Sequence, residues 1–517
     1  MTTRVTLYDT TLRDGAQTEG ISYSVDDKVR ITEQLDALGV PYVEGGWPGS
    51  NPKDAEFFRK MAGKRLRHAT LVAFGSTRRA DRAAARDPNL NALLKAQTAV
   101  VTIFGKSWDL HVRDVFRIPL EQNLRMIRES VAFLKTRGVR VFYDAEHFFD
   151  GYEDNPAYAM QTVQAAEAAG AEVVILCDTN GGSLPTDIGR IVAAAKLDLR
   201  VPLGIHTHND CGLGVANAVA AVQAGVEQVQ GTINGYGERC GNADLVCLLP
   251  ILQLKMGYDC LPPEQLKALT ETARFVAEVS NMGLRNNHPF VGPSAFAHKG
   301  GVHVNAVMKN PRTYEHLDPR LVGNERRILV SELSGKSSLV LRAKGLALDL
   351  QKKTPQAKRL LTLLQQLEHQ GYQFEAAEGS FELLLRRAVQ RHTPFFDLDG
   401  FRVVIEKRGG HEITSEAIVK VRVGGVLEHT AAHGEGPVNA LDNAIRKALR
   451  SFYPTLAQMH LSDFKVRVLN EKAATAAKVR VLIQSQDERD AWGTVGVSTN
   501  IIEASWQALA DSSNTNY

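Results

Sequence analysis

Short apolar segments rich in β-branched residues recur about every thirty residues through the first half of the chain. Eight can be counted, each typical of a buried β-strand: 5–8, 42–44, 69–74, 99–104, 139–143, 172–177, 201–205 and 226–233. Between them lie helical patterns, such as those over 28–38, 120–135, 157–168, 186–195 and 215–224. This alternation of strand and helix predicts a (β/α)8 barrel, with an open doubly wound sheet as the alternative, because counting strands does not establish closure.

Polar side chains collect where these predicted strands end. They comprise Asp9, Arg13 and Asp14 after the first segment, Glu44 after the second, Lys106 after the fourth, Glu146 after the fifth, Asp178 and Thr179 after the sixth, residues 206–210 after the seventh, and Asn242 after the eighth. In a closed barrel the carboxyl ends of all strands share one rim, and the first, seventh and eighth strands become neighbours. The sequence therefore predicts a functional site at that rim.

His206 and His208 stand two residues apart at the end of the seventh predicted strand, and in an extended chain this spacing places both imidazoles on one face. A pair of buried, hydrogen-bonded histidines is one interpretation of this spacing. The other is a metal site that Asp14 and Asn242 flank, and a set of oxygen and nitrogen ligands without thiolate suits Mg, Mn, Zn or Co. A 2-oxo acid would complete the coordination shell of such an ion, and Arg13 would stabilise the negative charge that develops on the ketone oxygen.

The pattern changes after about residue 270. We expect a barrel over 1–270, a mainly helical linker region over 271–394, and a C-terminal α+β domain over 395–517. Residues 436–449 resemble residues 497–510, and each predicted helix follows strands and a turn of small residues. A duplicated βββα unit explains this weak repeat, while two ordinary helices of similar composition are the alternative.

Composition narrows the class of protein. The 517 residues are 44% hydrophobic and 23% charged, with a formal net charge of +3, so we expect a globular protein that binds neither nucleic acid nor membrane. The N-terminus has no basic segment followed by an apolar one, and no apolar run is long enough for a membrane span. The five cysteines form no Cys-x-x-Cys pair, which indicates reduced thiols in the cytoplasm.

Three motifs carry a family resemblance: Asp-Thr-Thr-Leu-Arg-Asp-Gly (9–15), His-Thr-His-Asn-Asp (206–210) and Gly-Glu-Arg-Cys-Gly-Asn-Ala (237–243). They resemble motifs of the DRE-TIM metallolyase superfamily, and the whole layout resembles its 2-isopropylmalate, homocitrate and citramalate synthase branch. Two further motifs, over 43–54 and 144–151, look most like the (R)-citramalate synthase group of that branch. The resemblance covers nearly the entire chain.

The resemblance implies a Claisen-type condensation of acetyl-CoA with pyruvate, then thioester hydrolysis to citramalate and CoA. It implies a divalent metal ion held by Asp14, His206, His208 and Asn242. Arg13 would polarise the keto acid, Glu146 would assist at the acetyl-CoA side, and Thr179 would bind the keto-acid carboxylate. Asp178, Glu44 and Glu315 are further candidates for substrate binding.

For the linker, the resemblance implies that His303 deprotonates the acetyl methyl from the partner subunit of a homodimer, with Tyr314 and Glu315 in support. Spacing alone leaves open whether His298 or His303 is that base. The C-terminal domain would bind isoleucine as a feedback inhibitor, which places the reaction in isoleucine biosynthesis. The alternatives are a 2-isopropylmalate synthase, a homocitrate synthase and a lyase of the same superfamily, which would need neither the linker histidine nor the terminal domain.

Overall fold

The computed structural model of the protein describes residues 3–329, 355–389, 392–409, 412–469, 476–488 and 490–515. The chain divides into two compact units, one formed by Met1–Phe296 with Leu317–Glu325 and the other by Ala297–His316 with Arg326–Tyr517. Residues 330–354, part of the predicted linker region, lie outside the described residues. Among the helices that are described, none has both the length and the apolar character that crossing a membrane requires.

The first unit contains a closed barrel of eight parallel strands in sequence order. These are β1 (Thr6–Asp9), β2 (Tyr42–Gly46), β3 (Thr70–Ser76), β4 (Val100–Lys106), β5 (Arg140–Glu146), β6 (Val173–Asp178), β7 (Leu203–Thr207) and β8 (Gln228–Gly231). Strand β8 pairs with β1, with Gln228 opposite Thr6 and Gly231 opposite Asp9. This pairing confirms the predicted barrel and excludes the open sheet, which would have two edge strands.

Helices surround the barrel in the expected alternation. They are α1 (Val25–Leu38), α2 (Pro52–Met61), α3 (Pro88–Lys95), α4 (Leu120–Thr136), α5 (Phe148–Asp154), α6 (Pro156–Ala168), α7 (Pro185–Asp198), α8 (Gly214–Gln223), α9 (Leu245–Pro250) and α10 (Leu269–Val279). Helix α1 begins three residues before the predicted start because Ser24 and Asp27 form a capping box, in which each side chain accepts a hydrogen bond from the other residue's backbone N–H. Gly39 ends it in the left-handed conformation.

The strands bury both of their faces, and this explains why they are apolar throughout rather than alternating. One face contributes to the large core between strands and helices, with residues such as Leu7, Val43 and Ile103 fully buried. The other face points into the barrel, where a separate cluster contains Tyr8, Val72, Val100, Phe142, Ile175 and Cys177. The side chains above this cluster, toward the carboxyl ends, are the polar ones.

The second unit contains the linker elements and two three-stranded antiparallel sheets. Its elements are β9 (Ala297–His298), α11 (Gly301–Lys309), β10 (Arg327–Ile328), α12 (Pro355–Gln370), α13 (Glu378–Ala388), β11 (Asp397–Glu406), β12 (Thr414–Val423), β13 (Val426–Gly434), α14 (Pro437–Leu449), β14 (His460–Val468), β15 (Val479–Gln486), β16 (Ala491–Ser498) and α15 (Ile501–Asn514). Each sheet consists of three consecutive strands and is followed by one helix, so the predicted duplication of a βββα unit is confirmed. The sequence alternation predicts strands over 402–406, 417–423, 464–469 and 478–484, which correspond to β11, β12, β14 and β15. It does not predict β13 and β16, because their polar and glycine residues interrupt the apolar alternation.

Candidate active site

The turn after β1 brings two oppositely charged side chains to the carboxyl end of the barrel. The Thr10 backbone N–H and hydroxyl both donate to the carbonyl oxygen of Gly231, at 2.8 and 3.2 Å. The Asp14 backbone N–H donates to the Thr10 carbonyl oxygen at 2.9 Å. The turn is therefore held to the end of β8, and Arg13 and Asp14 are fixed beside the strands that complete the barrel.

Asp14 and the two predicted histidines converge. The Asp14 Oδ2 atom lies 3.3 Å from His206 Nε2 and 4.0 Å from His208 Nε2. The two Nε2 atoms are 3.2 Å apart, and all three side chains are buried. The predicted convergence of groups from the first and seventh strands is thus present in the structure, and among the described residues this is one of two such groups of possible metal ligands.

Asn242 reaches the same point from the loop after β8. Its backbone pairs with that of His208 in an antiparallel bridge, and the neighbouring Ala243 N–H donates to the Thr207 carbonyl oxygen at 2.8 Å. The Asn242 Nδ2 atom donates to Asp14 Oδ2 at 2.9 Å and lies 3.3 Å from His206 Nε2. The Asn242 side chain is therefore in contact with two of the other three predicted metal ligands, Asp14 and His206.

These four residues fit a divalent cation. Two nitrogen ligands at about 2.1 Å from an ion and at right angles lie about 3 Å apart, close to the separation of the two Nε2 atoms. The Asn242 Oδ1 atom is buried and has no hydrogen-bond partner. Exchanging the nearly isosteric oxygen and nitrogen of this amide would turn the unsatisfied acceptor toward Asp14 and the histidines, as a carbonyl ligand requires.

The electrostatics keep Asp14 and His208 in the forms that bind a metal. Burial alone would raise the pKa of Asp14, but the Arg13 guanidinium and then His206 hold it well below its ordinary value. Burial, and next the neighbouring His206, lower the pKa of His208 to about 3. For His206, the Asp14 carboxylate outweighs burial and raises the pKa. The cluster therefore has a carboxylate and a neutral imidazole at neutral pH.

The Arg13 guanidinium forms ion pairs with two buried carboxylates, Glu44 and Asp14. Its Nε donates to Glu44 Oε1 at 2.6 Å, its Nη1 lies 3.3 Å from Asp14 Oδ2, and its guanidinium carbon lies 3.9 Å from the ring centre of Phe74. The other Glu44 oxygen accepts a hydrogen bond from the Tyr8 hydroxyl at 2.6 Å. Although burial alone lowers the pKa of Arg13, Glu44 and Asp14 raise it above its ordinary value, so the guanidinium stays charged.

A cavity of about 190 Å³ lies over these groups. Its lining comprises Arg13, Asp14, Gln17, Trp47, Phe74, Phe104, Asp144, Glu146, Cys177, Thr179, His206, His208 and Glu238. The carboxylate of Glu146 forms an ion pair with Lys106 from the neighbouring strand. The Thr179 oxygen accepts a hydrogen bond from the His147 backbone N–H at 2.8 Å, which leaves its own hydrogen available to a ligand. The predicted Arg13, Glu146 and Thr179 are thus brought to one cavity.

Two predicted substrate-binding residues of the barrel, Glu44 and Asp178, are not part of this lining among the described residues. Both Glu44 oxygens are bonded to Arg13 and Tyr8. Asp178 accepts hydrogen bonds from Ser183 at 3.0 Å and from Asn217 at 3.3 Å, and burial raises its pKa. Neither carboxylate lines the cavity, and each is hydrogen-bonded to neighbouring side chains instead.

The predicted linker residues belong to the second unit. The ring of His303 stacks on that of Tyr314, with 4.2 Å between ring centres, and both side chains are exposed. Glu315 is buried and accepts hydrogen bonds from Arg326 Nε and Nη2, both at 2.6 Å, while His298 Nε2 lies 3.2 Å from it. Although burial opposes the effect, Arg326 lowers the pKa of Glu315, and His298 adds to this.

Several residues around the cavity were missed as site residues. Gln230 contacts His206, Asp144 lines the cavity, Tyr8 anchors Glu44, and Lys106 pairs with Glu146. One signal was available: Gln228 and Gln230 are two polar residues on the same face of an otherwise apolar strand. Nothing comparable marks Tyr8, which has the side chain expected of a barrel interior.

Comparison with known proteins covers nearly the whole chain. Residues 4–276 match the family described as HMGL-like, residues 290–371 the homocitrate synthase post-HMGL domain, and residues 375–517 the LeuA allosteric (dimerisation) domain. An (R)-citramalate synthase from Aquifex aeolicus is 55% identical over 514 residues, which are 99% of this chain and 97% of that protein. The chain belongs to the (R)-citramalate synthase family. The resemblance of its motifs to this synthase group is confirmed.

Further relatives agree with this assignment. An (R)-citramalate synthase from Geobacter sulfurreducens is 53% identical over 511 residues, covering 98% of this chain and 96% of that protein. A probable 2-isopropylmalate synthase from Methanopyrus kandleri is 30% identical over 509 residues, covering 98% of this chain and 97% of that protein. The two (R)-citramalate synthases and this relative align with the chain over similar lengths, but the relative is much less identical to it. This difference disfavours the alternative of a 2-isopropylmalate synthase.

Proposed function

We propose that this protein condenses acetyl-CoA with pyruvate and hydrolyses the resulting thioester to (R)-citramalate and CoA. The observation that carries the proposal is the convergence of Asp14, His206 and His208 beside the charged Arg13 guanidinium in one small cavity. Such a site can polarise a ketone and stabilise an alkoxide. The choice of pyruvate over other 2-oxo acids rests on membership of the (R)-citramalate synthase family.

Asp14, His206, His208 and Asn242 would hold a divalent cation, which when bound supplies a Lewis acid to the keto acid. Arg13 then donates to the ketone oxygen as that oxygen gains negative charge, and Glu44 and Tyr8 keep the guanidinium in place. The Thr179 hydroxyl donates to the carboxylate of the keto acid. Glu44 and Asp178 are positioning residues in this scheme rather than contacts of the substrate.

The acetyl thioester would approach from the side of Glu146 and Lys106. A second cavity of about 430 Å³ is lined by Lys106 and shares Phe104 with the first. It presents apolar side chains such as Val115 and Phe116 together with Arg79. An apolar channel with cationic groups suits the thioester arm and the phosphates of acetyl-CoA.

His303 of one protomer is the proposed base that removes a proton from the acetyl methyl in the barrel of its partner. It is exposed and contacts Tyr314, whereas His298 is held near the buried Glu315. The carbanion attacks the ketone carbon of pyruvate, and the resulting alkoxide takes up a proton. Water then adds to the thioester carbonyl, so that CoA leaves as a thiol and (R)-citramalate is released.

We assign catalysis to residues 1–270, a linker to 271–394 and regulation to 395–517. The match of residues 375–517 to the LeuA allosteric (dimerisation) domain supports a homodimer with feedback inhibition, for which isoleucine is the proposed ligand. Phe464, Val466 and Val468 lie on one face of β14 and are exposed, which also supports an interface between copies. All five cysteines are unpaired, which supports a cytoplasmic location.

The test is release of CoA from acetyl-CoA with a panel of 2-oxo acids, with and without a metal chelator and with isoleucine added in a parallel series. We expect preference for pyruvate, loss of activity with chelator and inhibition by isoleucine. Preference for 2-oxoisovalerate would instead indicate a 2-isopropylmalate synthase, and preference for 2-oxoglutarate a homocitrate synthase. If isoleucine changes neither rate nor melting temperature, the regulatory assignment is wrong.

A further inference from the structure

Gln230 contacts Nδ1 of His206, the ring nitrogen that does not face the other predicted metal ligands. It lies on β8 directly opposite His206 on β7, and both side chains point into the barrel. The Gln230 Oε1 atom lies 2.9 Å from His206 Nδ1. The side chain of Gln230 is fully buried, so no water competes for this contact.

The orientation of the Gln230 amide is fixed by a second residue. Its Nε2 donates to Asp144 Oδ1 at 3.1 Å, which leaves Oε1 on the side of His206. The amide oxygen is therefore the atom that faces His206, so His206 must carry its hydrogen on Nδ1. In the neutral ring, the form that ligates a metal, the lone pair is then on Nε2, the nitrogen 3.3 Å from Asp14 Oδ2.

We propose that the Asp144–Gln230 pair is a positioning device that selects the Nδ1–H tautomer of His206 and thereby presents Nε2 to the metal ion. This inference rests on the proposed metal site, though not on which 2-oxo acid reacts. A carboxylate or amide that holds the second nitrogen of a ligating histidine fixes both its tautomer and its ring orientation. The alternative is that Gln230 merely fills the barrel.

The experiment measures binding of Mn²⁺ to the full-length protein after removal of metals by dialysis against a chelator. Free Mn²⁺ is detected by electron paramagnetic resonance, and calorimetry provides a second measurement. Gln230→Leu preserves the side-chain volume but removes the acceptor, so we expect affinity to fall about 10–100-fold. Gln228→Leu, on the same strand and face, is the matched control and leaves the affinity unchanged.

A rescue variant separates positioning from packing. In Gln230→Glu with Asp144→Asn, the carboxylate and amide exchange places, so residue 230 still accepts from His206 Nδ1 and now accepts from the amide of residue 144. We expect this double variant to bind Mn²⁺ nearly as tightly as the original protein, with a similar melting temperature.

Two results would overturn the inference while leaving the metal site intact. One is tight Mn²⁺ binding by Gln230→Leu, equal to that of the Gln228→Leu control. The other is a double variant that folds normally and binds as weakly as Gln230→Leu. If the unaltered protein itself fails to bind Mn²⁺, the proposed metal site is wrong, and both this inference and the proposed catalysis are then wrong as well.

Discussion

The buried ion pair between Arg13 and Glu44 has an exposed counterpart, which allows a controlled measurement of what burial contributes. Arg13 Nε lies 2.6 Å from Glu44 Oε1, and the side chains are 15% and 0% exposed. Arg140 Nε lies 2.7 Å from Glu172 Oε2, with 48% and 40% exposed. The two pairs have the same residue types and nearly the same contact distance, and they differ in access to solvent and in the hydrogen bond that Glu44 also accepts from Tyr8.

Replacing each glutamate with alanine should therefore have unequal effects. Glu44→Ala leaves the Arg13 charge buried without its main acceptor, which costs about 3–5 kcal/mol. Glu172→Ala breaks a solvated pair, which costs about 0–1 kcal/mol. With a shift of about 2–4 °C per kcal/mol for a domain near this size, Glu44→Ala should lower the melting temperature by about 6–20 °C.

Differential scanning calorimetry of both variants and the unaltered protein provides the comparison. The melting temperature of Glu44→Gln should lie between those of Glu44→Ala and Glu172→Ala, because the amide oxygen still accepts a hydrogen bond from Arg13 Nε while the negative charge is lost. CoA release should fall in both Glu44 variants, since the guanidinium loses its fixed position, and stay near normal in Glu172→Ala. Equal melting temperatures for Glu44→Ala and Glu172→Ala would refute the reasoning.

Two further predictions concern the loop that carries Asn242 and a carboxylate outside the site. Gly241→Ala should destabilise the protein by about 2–4 kcal/mol and weaken Mn²⁺ binding, because a Cβ there would overlap the Gly235 carbonyl oxygen. Gly63→Ala has a similar positive φ but open space, so calorimetry should show a loss of only about 1 kcal/mol. Asp36 accepts hydrogen bonds from the backbone N–H groups of Arg67, His68 and Ala69. Burial alone would raise the pKa of Asp36, but these hydrogen bonds lower it below its ordinary value. The contribution of Asp36 to the free energy of unfolding is therefore fully present above the ordinary carboxyl pKa and is lost as the pH falls through the lower pKa of the folded state. Asp36→Asn should cost about 1–3 kcal/mol at neutral pH, and urea unfolding in acid should show this difference shrinking; a constant difference across pH would contradict it.

The pattern of strands and helices was predictable because it depends on local spacing of apolar residues. Eight apolar segments at regular intervals indicated βα units, and the polar residues that follow each segment marked the functional rim. The same logic indicated that His206 and His208 share a face. The repeat in the C-terminal region predicted two similar units, although β13 and β16 lacked a strong alternation of their own.

The network behind the site could not be derived from sequence. The contacts of Glu44 with Arg13 and Tyr8, and of Gln230 with His206 and Asp144, join residues far apart in the chain. A carboxylate at the end of a strand looks the same in sequence whether it faces a ligand or a buried arginine. Glu44 and Asp178 were for that reason predicted to bind substrate, although the structure turns both toward other side chains.

The sequence by itself determined the βα alternation, the residues that gather at one rim and the family to which the chain belongs. Only the tertiary structure decided that β8 closes onto β1, and so that Asp14 and Asn242 stand beside the two histidines. The physical reason is that side-chain direction along one strand follows from a period of two, whereas contact between strands depends on closure and register of the whole sheet.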